Sequence, residues 1–274
     1  MNYLARTADG RPLLGDSSGF VPLSAADPGL ERVRDALSLA AAGTLPDVAG
    51  ATVDRRPAES ITFGPPLSSF GKLWGIGLNY EEHAGDLDEE RPEEPASFMK
   101  PKSALTGPGG PIRLPDRSRT ERVTAEAELA VVVGRTCRNV ENVESVSDVI
   151  AGYLPVIDMT AEDILQRNPR FLTRAKSFDT FLVVGPAIAV PDEGFELADL
   201  TVRTVRNGSV VAENGIENTL FSPHEIVSFH SGVATLAPGD LFSTGTPGAG
   251  VIEPGDSVRA EVEPIGHVEA PVTR

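Results

Sequence analysis

The sequence predicts a β-rich α+β fold, and three observations carry the prediction. Short strand-like runs recur, such as Leu129-Ala130-Val131-Val132-Val133 and Gly152-Tyr153-Leu154-Pro155-Val156-Ile157. Turns rich in proline and glycine separate them, drawn from 23 prolines and 27 glycines, and segments with a helical period are interspersed. That pattern matches neither a regularly alternating βα barrel nor a helical bundle. No internal repeat or low-complexity segment interrupts it.

The first unit covers residues 1–62 as a small α+β domain with a connector. Tyr3 to Thr7 and Arg11 to Gly15 flank Ala8-Asp9-Gly10, a turn chemistry that favours a hairpin. Leu30, Val33 and Leu37 then mark one face of a helix ending near Gly43. Thr44 to Ser60, with Pro46, Gly50 and Pro57, reads as the connector. A second unit, 63–274, follows, with a later helix opened by Ser222-Pro223-His224-Glu225. At 274 residues the apolar content is ample for a core.

Two carboxylates, Glu126 and Glu128, head the Val-rich run. Side chains alternate along a strand, so both face one side and can share a cation. Like charges so close repel unless an ion or proton neutralises them, and oxygen ligands suit magnesium, manganese or calcium rather than zinc. A third oxygen ligand stands at Asp158, where the next strand-like run ends. Beyond it, Thr160-Ala161-Glu162-Asp163 reads as a capping box opening a short helix. The competing reading of Glu126 and Glu128 is the solvated face of a half-exposed strand.

Forty Asp and Glu against 24 Lys and Arg give a net charge of -16, which argues against nucleic acid and anionic membranes as partners. No run approaches a membrane span, and the N-terminus lacks the apolar block of a signal peptide, so the expectation is a soluble, cytoplasmic protein. Cys137 is the sole cysteine and is expected to pack inertly. Lysine is confined to Lys72, Lys100, Lys102 and Lys176, and this scarcity favours Lys100 and Lys176, which lie within motifs, as site candidates.

Five segments then carry a family resemblance, in order, from about Leu73 to Val262. Gly75-Ile76-Gly77-Leu78-Asn79-Tyr80-Glu81-Glu82-His83-Ala84-Gly85-Asp86 opens the series. Phe98-Met99-Lys100-Pro101 with Gly107-Pro108-Gly109-Gly110-Pro111-Ile112 follows, then Glu126-Ala127-Glu128, Lys176-Ser177-Phe178-Asp179, and finally Pro238-Gly239-Asp240 with Thr244-Gly245-Thr246-Pro247. Together they resemble the fumarylacetoacetate hydrolase family, including its isomerase and acylpyruvase-type members. The resemblance implies a mixed β-sandwich roll, usually a homodimer. It implies a divalent ion, magnesium with manganese or calcium as alternatives, held by Glu126, Glu128 and Asp158. The implied substrate is a small anionic 2-oxo acid or diketo acid. Asn79, Tyr80, Lys100, Gly245 and Thr246 are then substrate contacts, Lys176 a catalytic cation, and His83 with Asp86 a dyad that activates water.

The implied reaction is hydrolytic carbon-carbon cleavage of an acylpyruvate-type substrate through a metal-stabilised enolate. Decarboxylation, isomerisation, dehydration of a 2-keto-3-deoxy sugar acid, or non-catalytic binding of 2-oxo acids are the alternatives. Four departures bear on the choice. Asp86 is shorter than the family's usual Glu, Ile157 precedes Asp158 where the family often has Asn, Thr124 replaces an acidic residue, and Glu162 stands where Arg is usual, which should change how a second substrate carboxylate is received. His224, His230 and His267 are expected to pack or to lie on the surface.

The acidic excess generates a test of habitat. Self-repulsion opposes the compact state at low ionic strength, whereas the screening length falls from about 10 Å at 0.1 M salt to about 3 Å at 1 M. If the acidic, lysine-poor composition is halophilic, the melting temperature rises substantially between about 0.1 M and 2 M potassium chloride. A flat or falling curve assigns the arginine bias to genome composition alone.

Overall fold

Two long antiparallel strands carry the molecule's central sheet. The computed structural model describes residues 1–51, 53–80 and 92–274. Its first strands are β1 (Asn2–Arg6), β2 (Pro12–Asp16), β3 (Gly19–Pro22), β4 (Leu73–Gly77), β5 (Ala96–Lys100), β6 (Leu105–Thr106), β7 (Ile112–Arg113) and β8 (Val123–Val133). They continue with β9 (Ile150–Ala161), β10 (Leu182–Val184), β11 (Ala187–Val190), β12 (Thr201–Arg206), β13 (Ser209–Gly215), β14 (Leu241–Ser243), β15 (Ala249–Val251), β16 (Ser257–Glu263) and β17 (Gly266–Thr273). The α-helices among the described residues are α1 (Leu23–Ala26), α2 (Val33–Ala41), α3 (Glu162–Arg167), α4 (Leu172–Lys176) and α5 (Pro223–Val233).

The larger sheet runs β3-β2-β1-β11-β9-β8-β14-β4-β5, with β6, β10 and β15 attached beside that path; the smaller runs β13-β12-β16-β17-β7. Every residue of β8 and β9 is buried. Alternation divides them between two cores. Ala125, Ala127, Leu129, Val131 and Val133 face Val202, Val258, Ala260 and Val262 of the smaller sheet. Ala130 and Val132, with Leu154 and Val156 of β9, face the opposite way, against Val33, Ala36, Leu37 and Ala40 of α2. The result is the β-rich α+β fold that the sequence predicts, built as the sandwich that the family resemblance implies, with α2 laid on its outer face.

Pro155 sits inside β9, where proline normally removes a ladder bond. Its partner Leu129 turns its carbonyl away from β9 and accepts from Thr244 N at 2.9 Å. The β8–β9 ladder therefore loses no donor at that pair, and Pro155 O is free to accept from Gly185 N at 2.8 Å. Gly152 meets a different demand: with φ +155°, a Cβ there would lie 2.2 Å from Ala189 O, so only glycine admits β11 so closely.

The predicted hairpin forms as β1 and β2, and the predicted helix as α2, ending before Gly43 at φ +65°. Ser222 caps α5 as expected: its Oγ accepts from Glu225 N at 3.2 Å and Glu225 Oε2 accepts from Ser222 N at 2.7 Å. The N-terminal strands continue the large sheet, with β1 pairing antiparallel to β11, and α2 packs in the same core as β8 and β9. His267 lies on β17. No helix among the described residues is long and apolar enough to cross a membrane.

Because α2 and the central strands share one core, they should unfold together. Leu37→Ala, which empties a fully buried position, is expected to cost about 2–5 kcal/mol while leaving one cooperative thermal transition. A separate early transition in calorimetry would show that the N-terminal part is an independent unit.

Candidate active site

Antiparallel register sets Glu126 of β8 directly opposite Asp158 of β9. Opposed residues present their side chains on one face, and Glu128, two residues along β8, shares it. Asp158 is fully buried, and Glu126 and Glu128 are 8% and 2% exposed. This burial excludes the solvated-strand reading. The three expected carboxylates therefore lie together beneath the surface, beside the apolar patch that α2 covers.

Two lysines meet them. Lys176, closing α4, places Nζ 2.8 Å from Glu126 Oε2 and 3.2 Å from Asp158 Oδ1. Lys100, closing β5, places Nζ 2.7 Å from the same Asp158 oxygen. It is also within hydrogen-bond distance of the carbonyls of Lys176 (2.7 Å), Phe181 (2.8 Å) and Met159 (3.3 Å). Both ammoniums lie over the Phe98 ring, 5.0 Å (Lys176) and 6.0 Å (Lys100) from its centroid.

The two lysines are tuned in opposite directions. Burial disfavours the Lys176 ammonium, but Asp158, Glu126 and Glu128 outweigh it and raise its pKa above the ordinary lysine value. Burial dominates at Lys100, where Asp158 opposes the loss of charge and Lys176 adds repulsion, so its pKa is lowered. Glu128 records the crowding of negative charge. Burial pushes its carboxyl up, Asp158 and Glu126 add to this against Lys176 and Ser243, and its pKa reaches about 8.

Hydroxyls and one amide hold the carboxylates in place. Thr160 and Thr124 donate to Glu126 Oε1 at 2.5 and 3.2 Å. Ser243 Oγ and Gly245 N donate to Glu128 Oε2 at 2.5 and 2.7 Å. Thr160 thus serves the site and not a capping box: α3 begins with no side-chain cap. Thr160 and Ser243 were missed as site residues by sequence reasoning, although Thr124, Glu126 and Glu128 on one strand, and Asp158 and Thr160 on the other, obey the period of two that revealed the glutamates.

The remaining expected contacts divide. Asn79 is committed to the framework: Nδ2 donates to Thr244 O at 2.7 Å and Phe221 O at 3.0 Å, and Oδ1 accepts from Phe221 N at 2.9 Å. Gly245, at φ +98°, turns its amide toward Glu128, and an added Cβ would lie 2.8 Å from Asn79 Cβ. The Thr246 hydroxyl donates to Gly248 O at 2.9 Å within its own turn. Tyr80 is fully buried, its Oη lacks a partner among the described residues, and burial followed by the Glu128 charge raises its pKa. His83 and Asp86 lie outside the described residues. His224 Nε2 meets Tyr153 Oη at 3.0 Å and His230 Nδ1 meets Ile226 O at 2.7 Å, both packing roles. The Cys137 thiol is half-buried and its pKa is raised by burial, as inert packing requires.

No group of three or more His, Cys, Asp or Glu side chains among the described residues is gathered closely enough to hold a metal ion as the side chains stand. Lys176 lies between Glu126 and Asp158 instead. The donor set nonetheless suits a hard divalent ion. Asp158 Oδ2 is buried with no hydrogen-bond partner among the described residues, and Glu128 is left with excess negative charge around it.

Residues 72–273 match the family model described as fumarylacetoacetate (FAA) hydrolase, C-terminal. Over 271 residues the chain is 32% identical to a mitochondrial oxaloacetate tautomerase of Xenopus laevis, covering 94% of this chain and 84% of that protein. It superposes on 2-hydroxyhepta-2,4-diene-1,7-dioate isomerase from Mycobacterium marinum with a TM-score of 0.77 at 32% identity, covering 100% and 99% of the two chains. Maleylpyruvate hydrolase from Sphingobium sp. SYK-6, solved with manganese(II) and pyruvate, gives 0.78 at 28% identity over 99% and 98%. The match of sequence, sandwich and buried carboxylate pair has one reading: this chain belongs to the fumarylacetoacetate hydrolase family.

Proposed function

We propose that the protein is a divalent-metal-dependent enzyme that cleaves a carbon-carbon bond of an acylpyruvate-type diketo acid by hydrolysis. The observation that carries this reading is the Glu126–Asp158 pair, buried face to face across β8 and β9 with Lys176 between them. Glu126, Glu128 and Asp158 would hold the ion, which when bound supplies Lewis acidity to a 2-oxo oxygen that gains charge as the bond to C3 breaks.

The chain's own groups account for the rest. Lys176 keeps its proton, since the surrounding carboxylates raise its pKa, and so offers a fixed positive charge to an anionic substrate. Lys100 is enclosed by Asp158 and three carbonyls, which makes it a residue that positions Asp158. Asn79 and Gly245 set the 243–246 turn against Glu128. Tyr80 stays a neutral phenol facing the Glu128 charge, a donor suited to an oxyanion. His83, backed by Asp86, is assigned the activation of water. The pyruvate and manganese named with the maleylpyruvate hydrolase support this reading; the tautomerase and isomerase relatives favour a second one, proton transfer through the same enolate.

Chelation is expected to abolish acylpyruvate cleavage, with magnesium or manganese restoring it, and Glu128→Ala should weaken metal binding at least tenfold by calorimetric titration. Full turnover by chelator-treated protein would sink the metal assignment. His83→Ala separates the two readings of the chemistry. It should reduce acylpyruvate hydrolysis by about 10²-fold or more, the usual worth of a general base, while proton exchange at C3 of oxaloacetate stays measurable by NMR. Equal loss of both would place His83 in substrate binding instead of water activation.

A further inference from the structure

The edge of β8 that faces β14 and β15 is interrupted where the carboxylates stand. β14 pairs with Ala130 to Val132, and β15 with Thr124 to Glu126. Beside Ala127, Glu128 and Leu129, on that edge, no strand pairs among the described residues, and residues 244–248 join β14 to β15 across the gap. A broken ladder leaves its backbone groups to be satisfied one at a time. Leu129 O accepts from Thr244 N and Thr244 Oγ1, each at 2.9 Å, and the Glu128 carboxylate accepts from Gly245 N at 2.7 Å. Ala127 N, between the two glutamates, donates instead to a hydroxyl of the smaller sheet: Thr204 Oγ1 of β12, at 2.9 Å.

Thr204 is buried, and a hydroxyl that accepts one bond still has its own proton to give. That proton goes to Gly248 O at 3.3 Å, which also accepts from Thr246 Oγ1 at 2.9 Å. A hydrogen-bonded path therefore runs from the peptide between Glu126 and Glu128, through Thr204, to the far end of the turn whose near end, Gly245, holds Glu128. The surroundings are shaped for this approach. Gly248 lies so near β13 that an added Cβ would be 2.8 Å from Ala212 Cβ. Ala212 is the register partner of Thr204, and the β12–β13 ladder shifts register immediately after that pair, an irregularity that re-aims the side chains beside it.

Thr124, Thr160 and Ser243 donate to the carboxylates themselves. The bonds of Thr204 are to backbone groups, so its influence on the acids passes through the strand that bears them. Without the hydroxyl, the Ala127 amide is a buried donor with no acceptor, and Gly248 O keeps only Thr246. Buried polar groups left in this state recover partners by moving the backbone. Here the moving peptide carries Glu126 on one side and Glu128 on the other.

Resting on the metal-site reading above, we propose that Thr204 is a positioning residue: its hydroxyl locks the Ala127 peptide to the 246–248 turn and so fixes Glu126 and Glu128 relative to each other and to Gly245. The smaller sheet then has a part in the chemistry beyond covering the core, because one of its side chains closes the gap in the strand that carries two of the three acids. Preorganisation of this kind is needed most before a cation arrives, when the acids repel one another.

The test uses Thr204→Val, which keeps the shape and deletes the hydroxyl, and Thr204→Ser, which keeps the hydroxyl. Thr7→Val, at a buried hydroxyl that accepts from Arg11 N in the β1–β2 hairpin, is the control for losing a buried hydroxyl elsewhere. Manganese is titrated calorimetrically into chelator-treated protein, and exchange of the Gly245 amide is followed by NMR in the same metal-free samples. Thr204→Val should weaken manganese binding about 10-fold to 100-fold, the usual cost of removing a support behind the ligands of a metal site. It should also speed Gly245 exchange, while Thr204→Ser and Thr7→Val stay near wild type in both. A lower melting temperature for Thr204→Val with wild-type affinity and wild-type exchange overturns the proposal, and so does equal weakening by Val and Ser. If wild type binds no manganese, the metal reading fails by itself. Gly245 exchange then decides Thr204: faster exchange in Val and not in Ser supports the positioning role, and unchanged exchange refutes it. Should Thr204→Val not fold, Thr204→Ala, which also lacks the hydroxyl, takes the same measurements.

Discussion

Three carboxylates buried on one face of two adjacent strands are the constraint around which the rest of this structure is arranged. An ionised carboxylate out of water is costly unless paired and hydrogen-bonded. Glu126, Glu128 and Asp158 face two ammoniums, Lys100 and Lys176, which leaves one negative charge without a side-chain counterpart. Glu128 carries that excess, with its carboxyl pushed up to about 8 by burial and by Asp158 and Glu126. Neutrality is reached either by a proton on Glu128 or by an added cation, and a divalent ion with open coordination also invites an anionic ligand. The polar lining of the site is therefore the chemical consequence of placing these acids inside a sandwich.

The architecture gives the site stiffness. All three acids stand within long paired strands, Glu126 and Asp158 with strand partners on both edges and Glu128 opposite Val156 of β9, where backbone positions are better determined than in loops. The turn that follows β14 is less regular, and it is fixed by cross-links instead: Thr244 to Leu129 O, Asn79 to Thr244 O, and Gly245 to Glu128. Thr204 reaches across from the smaller sheet, accepting from Ala127 N at 2.9 Å between the two glutamates. Both sheets thus meet at the cluster, and a shift of either would be felt there.

Much of this was legible in the sequence because it rests on local periodicity. Alternation put Glu126 and Glu128 on one face, and the turn and capping signals placed β1, β2, α2 and α5 near where they are found. What was not legible depends on pairing between distant segments. Nothing local to Asn2–Arg6 announces that β1 will pair with β11, which joins the first hairpin to the central sheet. Thr160 obeys the capping pattern, yet β9 runs on to Ala161, which takes the N-cap position, and the Thr160 hydroxyl instead donates to the buried Glu126 carboxylate. Asn79, expected to touch substrate, is saturated by backbone groups more than a hundred residues away in sequence.

Lysine scarcity singled out Lys100 and Lys176 together, but the structure separates their roles by what surrounds each ammonium. Lys100 points into a ring of carbonyls with a single carboxylate; carbonyl dipoles satisfy its protons but compensate a full charge only in part, so burial prevails and its pKa falls. Lys176 looks into the whole carboxylate cluster, and three opposing charges overcome the same burial. The first lysine is therefore suited to fixing Asp158, and the second to holding positive charge where an anionic ligand arrives. One residue type, equally buried in both positions, acquires two functions from the difference between dipoles and charges as neighbours.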